Sequence, residues 1–276
     1  LADEDGIGTF SYQWSRAGTA LTGETSLTYT LGQSDVGSTI TVAISYTDDH
    51  GTAESVTSSA TSTVQNVNDD ASVAISGTAT EDQVLTATVT DEDGATGTIT
   101  YTWKRAGTAI TGATSSTYTL VQADVGSAIT VYVSFTDDQS NGETATSDAT
   151  SSVANVNDNP TGSVTISGTA TEDQVLTAAN TLADEDVLGT ISYQWKRAGT
   201  AISGATSSTY TLTQSDVGSA ITVTASYTDG QNTAESSTSA ATSSVANVND
   251  DPTGSVVISG TATEDQVLSI TNTLAD

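Results

Sequence analysis

The chain repeats itself with a period of about 90 residues, and this repetition limits the folds that are open to it. Trp14, Trp103 and Trp195 lie 89 and 92 residues apart. Two longer motifs recur in the same phase, GTATEDQVL at 77–85, 168–176 and 260–268, and DVGS at 35–38, 124–127 and 216–219. Such a period is too long for one turn of a solenoid and suits a small self-contained domain, so we expect an array of similar domains.

Acidic, Asn-rich stretches separate the copies, and we place the domain boundaries there. These stretches are NVNDD at 66–70, NVNDNP at 155–160 and NVNDDP at 247–252. The predicted domains are a first copy without its first two strands, two complete copies and the first strands of a fourth, at 1–69, 70–158, 159–250 and 251–276. Two explanations of the incomplete ends stay open: a window on a longer array, or strand addition from the tail of one chain to the head of another.

Each copy consists of short runs rich in Val, Ile, Thr and Tyr, broken by Gly, Asp, Asn and Ser, with no helical spacing. For the second copy we predict strands at 72–77, 83–90, 97–106, 108–112, 116–120, 127–137 and 144–156. In the strand at 83–90 we expect Val84 and the alternate positions to face inward. The pattern predicts an all-β fold of tandem immunoglobulin-like antiparallel β-sandwiches, arranged as beads on a string.

The composition and charge of the chain limit the classes of partner that it can bind. There are 34 Asp and Glu residues against 5 Lys and Arg, for a net charge of −29. A nucleic-acid partner is not expected, because its phosphates would be repelled, whereas cations would be attracted. The chain has no Cys, which excludes disulfides and zinc–thiolate sites, and no apolar run long enough for membrane insertion.

Nothing in the sequence indicates catalysis. The one histidine, His50, occurs in a single copy and in a predicted loop. No set of nucleophile and base recurs, and no Gly-rich phosphate-binding loop follows a strand. We therefore expect that the protein is not an enzyme. We expect Asp124 to stabilise a turn, and Trp103 and Tyr118 to pack within the domain.

The motifs resemble those of a known group of proteins. Trp103 in the third strand, then TYTL and DVG before a long strand, resembles an immunoglobulin-type domain without the disulfide. TED, TDEDG and NVNDNP resemble elements of cadherin-like repeats. Together they are similar to the tandem repeats of giant bacterial extracellular adhesins of the calcium-dependent, biofilm-associated type. The resemblance implies a structural role outside the cell or at its surface.

Calcium is the ligand that the acidic motifs favour, because it takes about six to eight oxygen ligands from carboxylates, amides and carbonyls. In the sandwich topology the first turn lies at the end where the last strand exits, and the loop after the second strand lies at the opposite end. The junction of the second and third copies should therefore bring together the acidic and amide residues of these segments, which are Glu81, Asp82, Asn155, Asn157, Asp158, Asp184, Glu185 and Asp186. Asp229, in the loop before the last strand of the third copy, is a further candidate.

Cadherin repeats bind calcium at comparable positions, and the resemblance implies ligand roles for Glu81, Asn157, Asp158, Asp184 and Asp186. Asn155 stands where the cadherin linker has Asp. The same phase adds candidates at the other junctions, which are Asn66, Asn68, Asp69, Asp91, Asp93, Glu172, Asn249, Asp250 and Asp276. The alternative stays open that these residues form solvated turns, since Asp and Asn bond their own backbone.

These observations predict a structural repeat segment of a long extracellular fibre or adhesin stalk, stiffened by Ca²⁺ at its junctions. Its partners would be adjacent copies of the same repeat. Two alternatives remain: a filament subunit joined head to tail by strand complementation, and a glycan- or surface-binding module. The copies differ mainly by small substitutions, which favours repetition of a mechanical part over a set of distinct binding surfaces.

Overall fold

The structure, a computed structural model, describes residues 3–275. The chain forms two compact units, Leu1–Asn155 and Val156–Asp276. The four-domain division inferred from the repeat remains a prediction. Within each unit the regular structure is almost entirely β, with short 3-10 helices at Gln33–Asp35, Gln122–Asp124 and Gln214–Asp216.

Residues 3–155 of the first unit form three antiparallel sheets. In chain order its strands are β1 (Ser11–Arg16), β2 (Thr19–Ala20), β3 (Ile40–Thr47), β4 (Ala53–Thr57), β5 (Ser72–Ser76), β6 (Val84–Thr90), β7 (Thr100–Arg105), β8 (Thr108–Ala109), β9 (Thr117–Thr119), β10 (Ile129–Thr136) and β11 (Gly142–Thr146). The first copy contributes the sheet β2-β1-β3-β4. The second copy contributes β5-β6-β9 and β11-β10-β7-β8.

The two sheets of the second copy pack face to face around one hydrophobic core. Leu85 and Leu120 from one side meet Trp103 and Val131 from the other, and all four are fully buried. Trp103 lies opposite Val131 in the antiparallel register of β7 and β10. Alternate residues of β10 face this core, as expected for a strand with one buried face. The predicted all-β immunoglobulin-like sandwich is confirmed.

Trp103 forms the centre of this core, and Tyr118 covers it. The two rings stack with their centroids 5.7 Å apart, and the indole Nε1 donates to the Ser115 carbonyl at 2.9 Å. The buried indole is thus both packed and hydrogen-bonded, which a buried Trp requires. In the second unit, Trp195 and Tyr210 make the same stack at 5.7 Å.

The predicted orientation of β6 is wrong by one residue. Val84 is 51% exposed, whereas Leu85 and Ala87 are buried. Because side chains alternate along a strand, a shift of one residue exchanges the two faces completely. Leu85, Ala87 and Val89 lie on one face of the strand, which is apolar throughout. Val84 lies on the other face with three threonines, so the face of Leu85 packs against the core.

The predicted last strand, 144–156, is also different in the structure. Strand β11 ends at Thr146, and the following chain bonds to β10 partly through hydroxyl groups. Val131 N donates to Ser147 Oγ and Ile129 N to Thr150 Oγ1, both at 3.0 Å. These side chains compete with the regular backbone ladder. The chain then bridges in parallel from Ala154 to Thr80, beside the turn that joins β5 and β6.

The second unit repeats this architecture. Its strands are β12 (Val164–Ser167), β13 (Val175–Asn180), β14 (Ser192–Arg197), β15 (Thr200–Ala201), β16 (Thr209–Thr211), β17 (Ile221–Thr228), β18 (Ala234–Thr238), β19 (Val256–Ser259) and β20 (Ser269–Asn272). Sheets β12-β13-β16 and β15-β14-β17-β18 enclose a core around Trp195, Leu176 and Val223. Strands β19 and β20 form a separate hairpin pair.

Candidate metal centre

In the first unit, the linker after the first copy is hydrogen-bonded to two buried carboxylates of the second copy. The amide N of Asp69 donates to Asp93 Oδ2 at 2.8 Å. Asn68 Nδ2 donates to Glu143 Oε1 at 2.8 Å, and the Ala71 N–H donates to Glu143 Oε2 at 3.2 Å. Hydrogen bonds to ionised acceptors are stronger than neutral ones, so these contacts hold the linker against the second sandwich.

The loop after β6 supplies Asp93 through a tight acidic turn. Asp93 N donates to Asp91 Oδ1 at 2.8 Å, the side-chain-to-backbone bond that Asp commonly makes in turns. Gly94 follows with φ +92, and a Cβ at this position would lie 2.3 Å from Asp138 Oδ2. Glycine adopts this positive φ readily, whereas other residues rarely do, and it leaves room for the Asp138 side chain of the loop between β10 and β11.

Negative charge is concentrated and withdrawn from solvent at this end of the second copy. Asp93, Glu143 and Asp137 are 2%, 5% and 6% exposed. Burial raises the pKa of Asp91, and the charges of Glu143, Asp137 and Asp93 raise it further against the lowering effect of the Asp93 N–H. Like charges at low local dielectric repel one another, so the group is costly unless a cation or protons balance it.

Two buried oxygens of the acidic turn, Asp91 Oδ2 and Asp93 Oδ1, accept no hydrogen bond from any residue between 3 and 275. In the linker, Asn66 Oδ1 is likewise buried and accepts none from these residues. Buried polar atoms in proteins are nearly always paired, and unpaired ones require an explanation. Carboxylate and amide oxygens are the donors that calcium prefers, and the site contains no sulfur or imidazole. The donor set therefore fits a hard divalent cation.

The second unit contains an equivalent arrangement. Asp158 N donates to Asp186 Oδ2 at 2.9 Å, and Asn157 Nδ2 donates to Glu235 Oε1 at 2.9 Å. Asp186 N donates in turn to Asp184 Oδ1 at 2.9 Å. Asp186 is fully buried. The linker therefore contacts the carboxylates of the third copy as the earlier linker contacts those of the second.

The opposite end of the third copy places a buried glutamate against the linker that follows it. Glu172 is 3% exposed, and its Oε2 accepts the Val248 N–H at 3.1 Å. With its amide nitrogen facing the carboxylate, Gln214 donates to Glu172 Oε1 at 2.7 Å and to Asn247 Oδ1 at 3.2 Å. In this linker Asn249 Nδ2 donates to the Asp250 carbonyl at 3.1 Å. The first turn of the copy and its exit linker thus share one end of the sandwich.

Glu81 has the corresponding position in the first unit. It is 2% exposed, and its N–H donates to the Ala154 carbonyl at 2.9 Å. The Oδ1 atom of nearby Asn155 is buried and has no hydrogen-bond partner in the part of the chain that the structure describes. The Glu81 side chain and the Asn155 Oδ1 atom are therefore withdrawn from solvent where the chain leaves the second copy.

The structure brings some of the predicted site residues together and leaves others as predictions. Asn68 and Asp69 lie with the acidic end of the second copy, next to Asp93. Asn157 and Asp158 contact the third copy. The predicted convergence of Glu81 with Asn157, Asp158, Asp184 and Asp186 joins residues of different units and stays a prediction. Asp276 lies outside the described residues.

Sequence reasoning missed one acidic position of the site, which Glu143 and Glu235 occupy in β11 and β18. The position of Asp137, directly after β10, was predicted only through its equivalent Asp229 in the third copy. The repeat carries the signal that would have found the glutamates, since Glu54, Glu143 and Glu235 have the same 89 and 92 residue spacing as the tryptophans. A single acidic residue that recurs in an otherwise Thr- and Ser-rich strand indicates a specific role.

Comparison with known proteins gives only remote similarities. No family model matches the chain, and no curated protein matches it. Among solved structures it is similar to a Ca²⁺-stabilised adhesin of an Antarctic bacterium that binds ice, with 16% identity and a TM-score of 0.32 over 96% of this chain and 71% of that chain. Within residues 3–275, no helix is long and apolar enough to cross a membrane.

Two further structures show similarity at the same level. One is a bacterial ice-binding adhesin, with 13% identity and a TM-score of 0.30 over 89% of each chain. The other is a tetra-tandem repeat from the extending region of a large adhesion protein, with 19% identity and a TM-score of 0.29 over 98% of this chain and 80% of that one. At TM-scores this low, the similarity supports no argument about this chain.

Proposed function

We propose that this chain is a structural repeat segment of a long extracellular or cell-surface fibre, of the adhesin-stalk kind, and that Ca²⁺ stiffens its inter-domain junctions. Its partners are adjacent copies of the same repeat. The observation that carries the proposal is the junction in the first unit, where linker groups donate to Asp93 and Glu143 while Asp91 Oδ2 and Asp93 Oδ1 stay buried and unpaired within residues 3–275.

The acidic residues of the site make the stability of the junction depend on a bound cation. Without a cation, Asp91, Asp93 and Glu143 repel one another, and this repulsion favours states in which the linker separates from the sandwich. When calcium is bound it neutralises this charge and accepts oxygen ligands from both sides of the junction. Asp91 and Asp93 would hold the ion from the sandwich through their unpaired buried oxygens, with Asn66 and Asp69 as candidate ligands from the linker. Glu143 would position the linker, because its two oxygens accept the bonds from Asn68 and Ala71.

Calcium fits the site better than magnesium. Calcium accepts many protein oxygens in flexible geometry, whereas magnesium demands near-octahedral geometry and retains several waters. A junction that offers buried carboxylates with an asparagine from a linker provides an irregular cage of protein oxygens. An extracellular setting also supplies calcium at the concentrations for which weaker sites are suited.

The experiment is thermal unfolding and small-angle scattering of the chain in calcium, in magnesium and with a chelator. Calcium at 100 times its dissociation constant should stabilise the folded chain by about 2.7 kcal/mol, because it binds the native state alone. We expect a higher melting temperature and a larger, better-defined maximum dimension in calcium. An unchanged melting temperature together with an unchanged maximum dimension would refute the proposal.

Matched variants separate the junction from general charge effects. Asp93→Asn removes one buried charge at the first junction, and Asp158→Ala removes a linker carboxylate at the second. Both should reduce the calcium-dependent rise in melting temperature while each sandwich stays folded. Asp148→Asn, at an exposed position, is the control and should leave that rise unchanged.

A further inference from the structure

Among the differences between the acidic ends of the second and third copies are two positions on either side of Asp137 and its equivalent Asp229. Phe135 stands where the first and third copies have Tyr46 and Tyr227, with the repeat spacing of 89 and 92 residues. Asn141 stands where those copies have Thr52 and Thr233, with the same spacing. The two positions therefore change together, from Tyr with Thr to Phe with Asn.

In the third copy, the tyrosine hydroxyl bonds the first aspartate of the acidic turn. Tyr227 Oη donates to Asp184 Oδ2, and the Asp186 N–H donates to Asp184 Oδ1 at 2.9 Å. Asp229 accepts the N–H groups of Gln231 and Thr233 on Oδ1, each at 2.8 Å. Asp229 Oδ2 is left without a hydrogen-bond partner in residues 3–275, although Asp229 is only 5% exposed.

In the second copy the aspartate with the unbonded oxygen is the other one of the two. Asp91 Oδ1 accepts the Asp93 N–H at 2.8 Å, but with Phe135 in place of tyrosine no hydroxyl of residues 3–275 donates to the buried Oδ2. Asp137 is instead bonded on both oxygens. Its Oδ1 accepts the Gln139 and Asn141 N–H groups at 2.9 and 2.7 Å, and its Oδ2 accepts Asn141 Nδ2 at 2.9 Å.

We infer that the residue pair at positions 135 and 141, and its equivalent at 227 and 233, decides which of two aspartates, the first of the acidic turn or the one that follows the long strand, offers a free oxygen to the cation. In the first unit that aspartate is Asp91, in the loop after the second strand of the copy. In the second unit it is Asp229, in the loop after β17. This inference rests on the proposed calcium function and assigns the ligand of each junction.

The physical reason is competition for the carboxylate oxygen. An O–H or N–H donor already occupies lone-pair density and balances charge on the oxygen it bonds, so a cation must share or displace that donor. A buried oxygen with no donor has lost its water without replacement, and binding a cation there breaks no existing bond. In the second copy Asp91 Oδ2 therefore has no donor within residues 3–275, while Asp137 Oδ2 accepts a hydrogen bond. In the third copy Asp229 Oδ2 has none within these residues, while Asp184 Oδ2 accepts one.

The first test compares four aspartate variants in the full chain by calorimetric titration of chelator-treated protein with CaCl₂. Asp91→Asn should weaken binding at its junction at least about tenfold more than Asp184→Asn weakens binding at the other. Asp229→Asn should likewise cost at least about tenfold more than Asp137→Asn. The exposed Asp148→Asn variant controls for the loss of one charge from the chain. Equal losses within each pair would overturn the inference.

The second test exchanges the pair itself. The double variant Phe135→Tyr with Asn141→Thr gives the second copy the residues that the third copy has at these positions. In this background, Asp137→Asn should cost more calcium affinity than Asp91→Asn, the reverse of the order in the original chain. An unchanged order contradicts the inference. Melting in chelator checks that the double variant folds, and the four single variants test the inference without it.

The two proposals fail in different ways. If the original chain binds no calcium in the titration, the proposed function fails and the ligand assignment fails with it. If the original chain binds calcium but Asp91→Asn and Asp184→Asn cause equal losses, only the ligand assignment is wrong.

Discussion

Arg105 Nε donates a 2.7 Å hydrogen bond to Asp124 Oδ1, and this carboxylate is fully buried. The hydroxyl of Tyr118 and the N–H of Val121 donate to its other oxygen, each at 2.9 Å. The pair joins β7 to the short 3-10 helix at Gln122–Asp124. The equivalent pairs Arg16–Asp35 and Arg197–Asp216 also measure 2.7 Å. The Asp of the DVGS motif therefore stabilises the turn in each of the three copies that carry the motif.

Removing Asp124 should destabilise the second copy strongly. Asp124→Ala leaves the Arg105 guanidinium partly buried without its partner, and breaking a buried pair costs about 3–5 kcal/mol. Urea unfolding measures this loss. Asp148→Ala, at an exposed position, should change the free energy of unfolding by no more than about 0.5 kcal/mol. A loss at Asp124 as small as that of the control would show that the pair is not structural.

The third copy should lose stability in acid partly through Asp216. Burial raises the pKa of Asp216, but the donors Thr213, Arg197 and Tyr210 outweigh it and hold the pKa below its ordinary value of 3.8. The folded form thus binds this proton less readily than the unfolded form. Its contribution to stability is present above the ordinary carboxyl pKa and is lost as the pH falls below it.

The Asp216→Asn variant tests this pH dependence. Its free energy of unfolding should fall less steeply than that of the original chain between about pH 5 and pH 3, measured by urea unfolding at each pH. Asp173→Asn removes the same charge from an exposed turn and should keep the original slope. Parallel curves for Asp216→Asn and the original chain would contradict the pKa argument.

Glu143 should hold the first linker even without calcium. Glu143→Gln replaces an acceptor of two N–H groups by an amide with one acceptor oxygen, so the bond to Ala71 weakens. In chelator, hydrogen exchange of the Ala71 amide should become about tenfold faster, the loss of one bond to a charged acceptor. Glu54 is the equivalent residue of the first copy and lies in an exposed strand. Glu54→Gln should therefore leave the exchange of the Ala71 amide unchanged.

The turn between β7 and β8 should become more stable with asparagine. Ala106 has φ +44 and is followed by Gly107 at φ +81, as in a two-residue hairpin turn that favours Asn-Gly. Ala106→Asn should raise the free energy of unfolding by about 0.5–1 kcal/mol, because Asn tolerates this region better than Ala. Ala106→Val should lower it. A gain from Val in urea unfolding would contradict the turn assignment.

Much of the fold was predictable because it depends on local patterns. Strand positions follow from runs of β-branched and aromatic residues between Gly, Asp and Asn turns, and these signals repeat in each copy. The exception at Val84 has a simple cause: Val84 and Leu85 are both apolar, and the inward face is marked only further along the strand, where Ala87 and Val89 share the parity of Leu85 and threonines share that of Val84.

The candidate site was predictable only in part. The linker residues Asn68 and Asp69 and the turn residue Asp93 were predicted from the recurring acidic motifs. Glu143 was not, because it lies in a strand more than 70 residues along the chain from the linker that it bonds. Its role depends on pairing between β10 and β11, which places that strand beside the linker.

The sequence by itself determined the repeating architecture, the phase of the linkers and the acidic character of the junctions, because these depend on periodicity, turn chemistry and charge. The tertiary structure alone decided which carboxylate oxygens are bonded and which are left open. Tyr227 closes Asp184 Oδ2, whereas Phe135 leaves Asp91 Oδ2 without a donor among the residues described. A single hydroxyl has no effect on strand patterning, but it changes the hydrogen-bond balance of a buried carboxylate.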